Sequence, residues 1–426
     1  MSVALLAPLA LLILGWSALS GALARRDITG PLIFVAAGAL LANDAWGILP
    51  VSVETGSVHT LAELSLALVL FSDAVRIDLK SLRRSAGLPA RMLLIGMPLT
   101  LVLGTGLAVL ILTDLPWELA FFVAAALAPT DAALSAQVIS DRRVPAKLRT
   151  ALNVESGLND GLATPVVALA IALAAESLDG ADAQELGIPE ALLELGLGVG
   201  IGLAIGALGA WALTASSRRG WAEVGTLRIG TFATAIAAFS AAVAVDGNGF
   251  VAAFAGGLIF GIVADREECE QEQFAELSEL GGELLTLVVW FLFGAALVPI
   301  AVTHLSVATV GYSLLSLTLI RAVPVAISLM GTHLSWQDVA FLGWFGPRGL
   351  ASVVFALLAL EELTERPEVE FAVGTIATTV LLSVILHGAT AGPAAARYGT
   401  TSGMDRPGDR RSADVVTMRP RDSKMG

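Results

Sequence analysis

Asp131, Glu155, Asn159 and Asp160 stand in stretches that are otherwise almost wholly apolar. Charge placed in hydrocarbon is unfavourable enough that an intramembrane carboxylate marks a functional site by default. The first of these stretches is apolar from Leu119 until Ala128-Pro129-Thr130-Asp131 interrupts it. Proline removes a backbone N–H and clashes with the preceding turn, which predicts a broken or unwound helix near Pro129. Carbonyls freed beside a carboxylate make an oxygen-only cation site of the kind built by discontinuous helices. In the second stretch Glu155 and Asn159 are four residues apart, as are Ser156 and Asp160, so the two pairs occupy adjacent faces of one helix. No His or Cys stands nearby, so the donors suit Na⁺, K⁺, Li⁺ or a proton rather than a transition metal.

Each motif has a structural alternative. Pro129 could mark a kink that Thr130 and Asp131 repair locally, although a carboxylate is a costly way to do what a serine would. Glu155 to Asp160 could instead be a helix start in water, capped by Asn153. The apolar run from Leu162 to Ala175 is only about 14 residues, too short to cross a bilayer unless the polar part also lies at membrane depth.

Two arginines are similarly placed, Arg321 within Thr318-Leu319-Ile320-Arg321-Ala322-Val323-Pro324 and Arg348 within Gly346-Pro347-Arg348-Gly349. Buried charge needs a partner, and the acids available at similar depth are Glu155, Asp131 and Asp160. Gly346-Pro347-Arg348-Gly349 also marks a second broken helix.

The elements that must hold these residues follow from composition. Of 426 residues 56% are hydrophobic, only 15% are charged and 43 are glycine, the profile of an all-α polytopic membrane protein with lipid as its surroundings. At roughly 20 apolar residues per crossing there are about thirteen candidate spans. They cover 3–22, 29–46, 57–74, 88–112, 117–139, 149–175, 190–215, 224–244, 248–264, 276–299, 305–330, 337–360 and 370–394. The N-terminus enters an apolar run at once and reads as a first span rather than a cleaved leader. The single cysteine, Cys269, excludes an intramolecular disulfide.

Basic residues concentrate in alternate loops: Arg25 and Arg26; Arg76, Lys80, Arg83 and Arg84; Arg142, Arg143, Lys147 and Arg149; Arg218 and Arg219. The positive-inside rule then puts these loops and the C-terminus in the cytoplasm and the N-terminus outside, as an odd number of spans requires. The segment Asp265 to Glu279 runs against this pattern, being acidic on the same side. Residues 397–426 are polar and lack periodicity, which predicts a disordered cytoplasmic tail. No Gly-x-x-x-x-Gly-Lys-Ser/Thr loop is present, so nothing points to ATP, to another cofactor or to nucleic acid. If spans 1–6 and 8–13 form two inverted repeats, the broken span five corresponds to the broken span twelve.

With these features the chain resembles the monovalent cation/proton antiporters of the NhaP and sodium/proton exchanger group, cation/proton antiporter family 1. The resemblance rests on Phe71-Ser72-Asp73-Ala74 with Ile77-Asp78-Leu79, Pro129-Thr130-Asp131, Glu155-Ser156-Gly157-Leu158-Asn159-Asp160-Gly161, Arg321 and Gly346-Pro347-Arg348-Gly349 in this order. It implies an NhaA/NhaP-like fold with two crossed, unwound helices in a homodimer. Dimerisation helices would cover about 1–86 and 224–299, an ion-translocating core about 87–175 and 305–394, and a linker helix about 190–215. It implies a transporter rather than an enzyme, with Na⁺, Li⁺ or K⁺ and H⁺ as cargo, in the inner membrane of a bacterial or archaeal cell. Carried residue by residue, it implies Asp160 as the carrier of cation and proton. Asp131, Ser156 and the Thr130 main chain are then further Na⁺ ligands, with Glu155 in the same cluster. Asn159 distinguishes this group from relatives with two aspartates, and Glu155 pairs with Arg321 or Arg348. Gly157, Leu158 and Pro347 depart from the usual pattern without touching a proposed ligand.

One carboxylate that holds either a proton or a cation, and faces each side in turn, exchanges the two without further machinery. With Asn159 in place of a second aspartate, the expectation is one cation per proton and no net charge moved. A cation-coupled solute symporter would need a solute pocket, and a channel would need a carbonyl filter or an acidic ring. His59, His304, His333 and His387 read as interface residues without a sensing role.

Overall fold

The computed structural model describes residues 3–24, 28–42, 55–77, 87–141, 143–179, 188–266, 271–363 and 366–401. Among them every regular element is helical. Each apolar stretch forms helix: α1 Val3–Ala24, α2 Gly30–Leu41, α3 Thr55–Val75 and α4 Gly87–Ile111 come first. The fifth stretch is split into α5 Trp117–Ala126 and α6 Ala136–Ser140. Then follow α7 Ala146–Asp179, α8 Ile188–Arg218, α9 Val224–Val243, α10 Gly249–Arg266 and α11 over 271–303. The chain continues with α12 Val307–Ser328, the split pair α13 Trp336–Trp344 and α14 Leu350–Glu362, and α15 Pro367–Thr401. Among the described residues seven helical stretches, α4, α7, α8 and α15 among them, are long and apolar enough to cross a bilayer unaided. The protein is thus a multi-pass integral membrane protein.

Helices α2, α3, α8, α9, α10 and α11 pack on one another, and α4, α5, α7 and α12 to α15 pack on one another. The two groups meet most extensively where the end of α11 packs on α15, and also where α3 touches α14 and α7 and where α8 and α10 touch α7. The helix expected as a linker, α8, lies along α10. A Cβ at Gly198, Gly202 or Gly206 would run into the main chain of Asn248, Ala252 or Gly256. Small residues every fourth position let two helices approach to backbone contact, which accounts for much of the glycine in this stretch.

The acidic segment finds its partners inside this frame. Glu276 of α11 pairs with Arg228 of α9 at 2.5 Å, and Glu279 holds both Nη atoms of Arg76 at the end of α3. Acid from the end of this segment is thus matched by cations of α9 and of the end of α3. Between α6 and α7 the exposed Arg143 side chain hydrogen-bonds Asp141 and holds that carboxyl below its usual range.

Three features differ from the sequence reading. Helix α15 runs on to Thr401, past the expected tail start at 397, because the Tyr398 hydroxyl reaches Asp338 and its ring packs on Phe341 with centroids 4.7 Å apart. Helix α12 is interrupted at Thr318, where φ −117° and ψ −87° leave the helical region. His387 is 1% exposed, a core residue and not an interface one. Cys269, Asp78, Lys80, Arg83, Arg84 and residues 402–426 lie outside the described residues.

Candidate functional site

The interruptions at Pro129 and Pro347 meet. From Leu127 to Ser135 the chain is unwound between α5 and α6, and from Phe345 to Gly349 between α13 and α14. The Asp131 N–H donates to the Pro347 carbonyl at 2.8 Å, one main-chain bond across the two extended segments. Gly349 makes this approach possible, since a Cβ there would overlap the Asp131 carboxylate.

Each interruption carries the charge that the other needs. A helix ends with unsatisfied carbonyls and partial negative charge, and begins with free N–H groups and partial positive charge. Arg348, from the second break, donates through Nη1 to the carbonyls of Ala128 at 3.0 Å and Pro129 at 3.2 Å, where α5 gives out. Its Nη2 reaches the Ser316 carbonyl at 3.4 Å, beside the interruption at Thr318. Asp131, from the first break, accepts the Leu350 N–H at the start of α14 at 3.0 Å through Oδ2. Its Oδ1 accepts the N–H groups of Ala133 at 2.7 Å and Leu134 at 3.3 Å. The expectation that a buried arginine pairs with an acid therefore does not hold for Arg348. A broken helix end supplies carbonyl acceptors that a soluble-protein argument leaves out.

The other arginine does meet an acid. Arg321 grips Glu155 with both Nη atoms, the second at 2.6 Å, and both residues are buried. Its guanidinium also lies against Gly346, so the pair abuts the second break.

Ser156, Asn159 and Thr130 form a compact hydroxyl–amide set. Thr130 Oγ1 lies 2.9 Å from Ser156 Oγ and accepts the Asn159 amide N–H at 2.7 Å. Helix α7 supplies two of these groups three residues apart, one from each of the two four-residue pairs, and the unwound segment supplies the third. Asn159 Oδ1 and Asp160 Oδ1 are buried acceptors without a hydrogen-bond partner among the described residues. Buried oxygens of this kind carry a desolvation cost that a bound cation or proton can relieve.

Asp131 and Asp73 are the charged groups within electrostatic reach of Asp160. Asp73 stands on α3, with Arg76 and Glu279 beside it. Sequence reasoning quoted this residue in a motif and gave it no role. The available signal was a carboxylate inside the apolar run from Leu66 to Val75.

A sodium/hydrogen exchanger, transmembrane family model matches residues 9–397. The chain belongs to the sodium/hydrogen exchanger family. Among the chain's relatives, the K(+)/H(+) antiporter NhaP2 of Shewanella baltica is 24% identical over 369 residues, 86% of this chain and 62% of that protein. A probable Na(+)/H(+) antiporter of Schizosaccharomyces pombe is 24% identical over 319 residues, 68% of this chain and 42% of that protein. The chain thus spans about three fifths of the length of the Shewanella relative. In fold it matches the sodium proton antiporter MjNhaP1 from Methanocaldococcus jannaschii, with a TM-score of 0.74 and 18% identity over 92% of this chain and 98% of that one. The architecture is therefore the NhaP-like one, with two broken helices meeting at the centre.

Proposed function

We propose that this exchanger moves a monovalent cation against protons by alternating access, with the two competing for Asp160. The carrying observation is the pair of buried, unpartnered oxygens, Asn159 Oδ1 and Asp160 Oδ1, next to the Thr130–Ser156 hydroxyls. Such a set is all oxygen and carries charge from a carboxylate, which suits a hard monovalent ion. Asp131 and the Thr130 main chain complete the ligand set in this reading, and Asp73 adds negative charge from α3. Glu155 serves Arg321 rather than the ion.

Na⁺ is the proposed ion, Li⁺ with it, and the one-to-one exchange moves no net charge. K⁺ is the second reading, favoured by the K(+)/H(+) designation of the Shewanella relatives. The protein would work as a homodimer through the α2, α3, α8 to α11 group, in a prokaryotic inner membrane with its C-terminus in the cytoplasm.

The test is proton flux in liposomes carrying an internal pH dye, driven by Na⁺, Li⁺ or K⁺ gradients. Asp160→Asn, expressed and folded, should show no cation-driven flux; retained exchange would remove Asp160 from the mechanism. Acceleration of Na⁺-driven exchange when valinomycin and equal K⁺ on both sides clamp the membrane potential would overturn electroneutrality.

A further inference from the structure

We propose that His387 is a positioning residue whose ring ties α15 to the carbonyl that ends α13 and so fixes the unwound segment 345–349 against the cation site. The His387 Nε2 lies 2.9 Å from the Trp344 carbonyl. That carbonyl also accepts the Gly346 N–H at 2.9 Å, at the point where the helix is lost. On its other edge, His387 Nδ1 lies 3.3 Å from Ser383 Oγ and 3.1 Å from the Ser383 carbonyl. Ser383 Oγ accepts the Arg348 N–H at 2.7 Å. The ring packs on the Trp344 indole with centroids 5.2 Å apart, and Trp344 Nε1 donates to Thr390 of the same helix at 3.1 Å.

Helix α15 thus holds both ends of the segment, Trp344 before it and Arg348 within it. Between these points Gly346 abuts Arg321 and Thr130, and the Pro347 carbonyl takes the Asp131 N–H. Any slack at Trp344 is passed directly to Thr130 and Asp131. With its proton on Nε2 the imidazole donates to the Trp344 carbonyl while Nδ1 accepts the Ser383 hydroxyl, whose oxygen in turn takes Arg348 N–H. The Trp344 carbonyl, the Ser383 hydroxyl and the Arg348 N–H are then engaged without adding positive charge beside Arg348 and Arg321, the charged groups that face the ring.

The clamp is tested by substitutions that separate the donor from the bulk. His387→Gln keeps an N–H at the reach of Nε2, whereas His387→Leu keeps volume and loses both bonds. Amide hydrogen exchange over residues 345–350 in nanodiscs should quicken in His387→Leu by about tenfold, the size expected for one lost hydrogen bond, and stay within about twofold of the parent in His387→Gln. In liposomes His387→Leu should raise the half-saturating cation concentration by about tenfold while leaving the maximal rate within about twofold, and His387→Gln should restore it. Should His387→Leu not fold, Ser383→Ala removes the acceptor of the Arg348 N–H and should raise exchange at that amide. Unchanged protection in the variants that fold, or equal behaviour of the Gln and Leu variants, overturns the clamp. The transport readout rests on the cation/proton reading. If the parent shows no cation-driven flux, that reading fails while amide protection still decides on His387.

Discussion

Neutralising either partner of the Glu155–Arg321 pair leaves the other charge buried without its counter-ion. Removing one member of such a pair typically lowers stability by about 3–5 kcal/mol. Glu155→Gln and Arg321→Gln should each lower the thermal unfolding temperature in detergent, and the double variant should be less affected than the two losses added. Additive losses would show that the residues do not act as a pair. Thr130→Ala is a different case, because it leaves charge untouched and removes the shared contact of Ser156 and Asn159. It should raise the half-saturating cation concentration about tenfold, a hydrogen-bond-sized effect, with little change in melting, as concentration-dependent flux will register. The sequence made Asp131, Glu155, Asn159 and Asp160 conspicuous because each is a polar group in an apolar run. It left open which arginine Glu155 meets, since Arg321 and Arg348 look alike in that respect. Only the path of the backbone separates them, by aiming Arg348 at the carbonyls of Ala128 and Pro129.

At the scale of elements, each break is legible where proline causes it and silent where it does not. Pro129 and Pro347 announce their interruptions, and the two segments do cross. Thr318 gives no such warning, because its local sequence is acceptable in a helix and the interruption depends on tertiary neighbours, among them Arg348 at the Ser316 carbonyl. The end of α15 was likewise misplaced, because the contact of Tyr398 with Asp338 spans a long separation in the chain. Gly349→Ala probes the crossing itself. Its new methyl group would occupy the space of the Asp131 carboxylate and drive it from the start of α14. Exchange activity should be lost or strongly reduced, and a crystal or cryo-EM structure of the variant should show Asp131 displaced. Full activity would mean that the crossing tolerates separation of Asp131 from Leu350.

For the whole molecule, the charges at the crossing can be summed. Arg321 is matched by Glu155, Arg348 lies on the carbonyls where α5 ends, Asp131 takes the N–H where α14 begins, and Asp160 has Asp131 and Asp73 as charged neighbours. A proton or one monovalent cation bound at Asp160 adds the same single charge, so both loaded forms of the core are equivalent in charge. Protons and cations competing for one carboxylate give a pH dependence of fixed sign. The half-saturating cation concentration should rise by about tenfold per unit of acidification on the acid side of the carboxylate's titration and level off on the alkaline side. Flux measured against cation concentration at a series of symmetric pH values would reveal this, and a value independent of pH throughout would exclude competition. Where α8 meets α10, main chain touches main chain with no side chains between, and such a seam has no rotamers through which to slip. In the alternating-access reading such a seam should act as a stator, with relative movement expected at contacts made by side chains, such as the ring of Phe254 resting on Gly161 of α7.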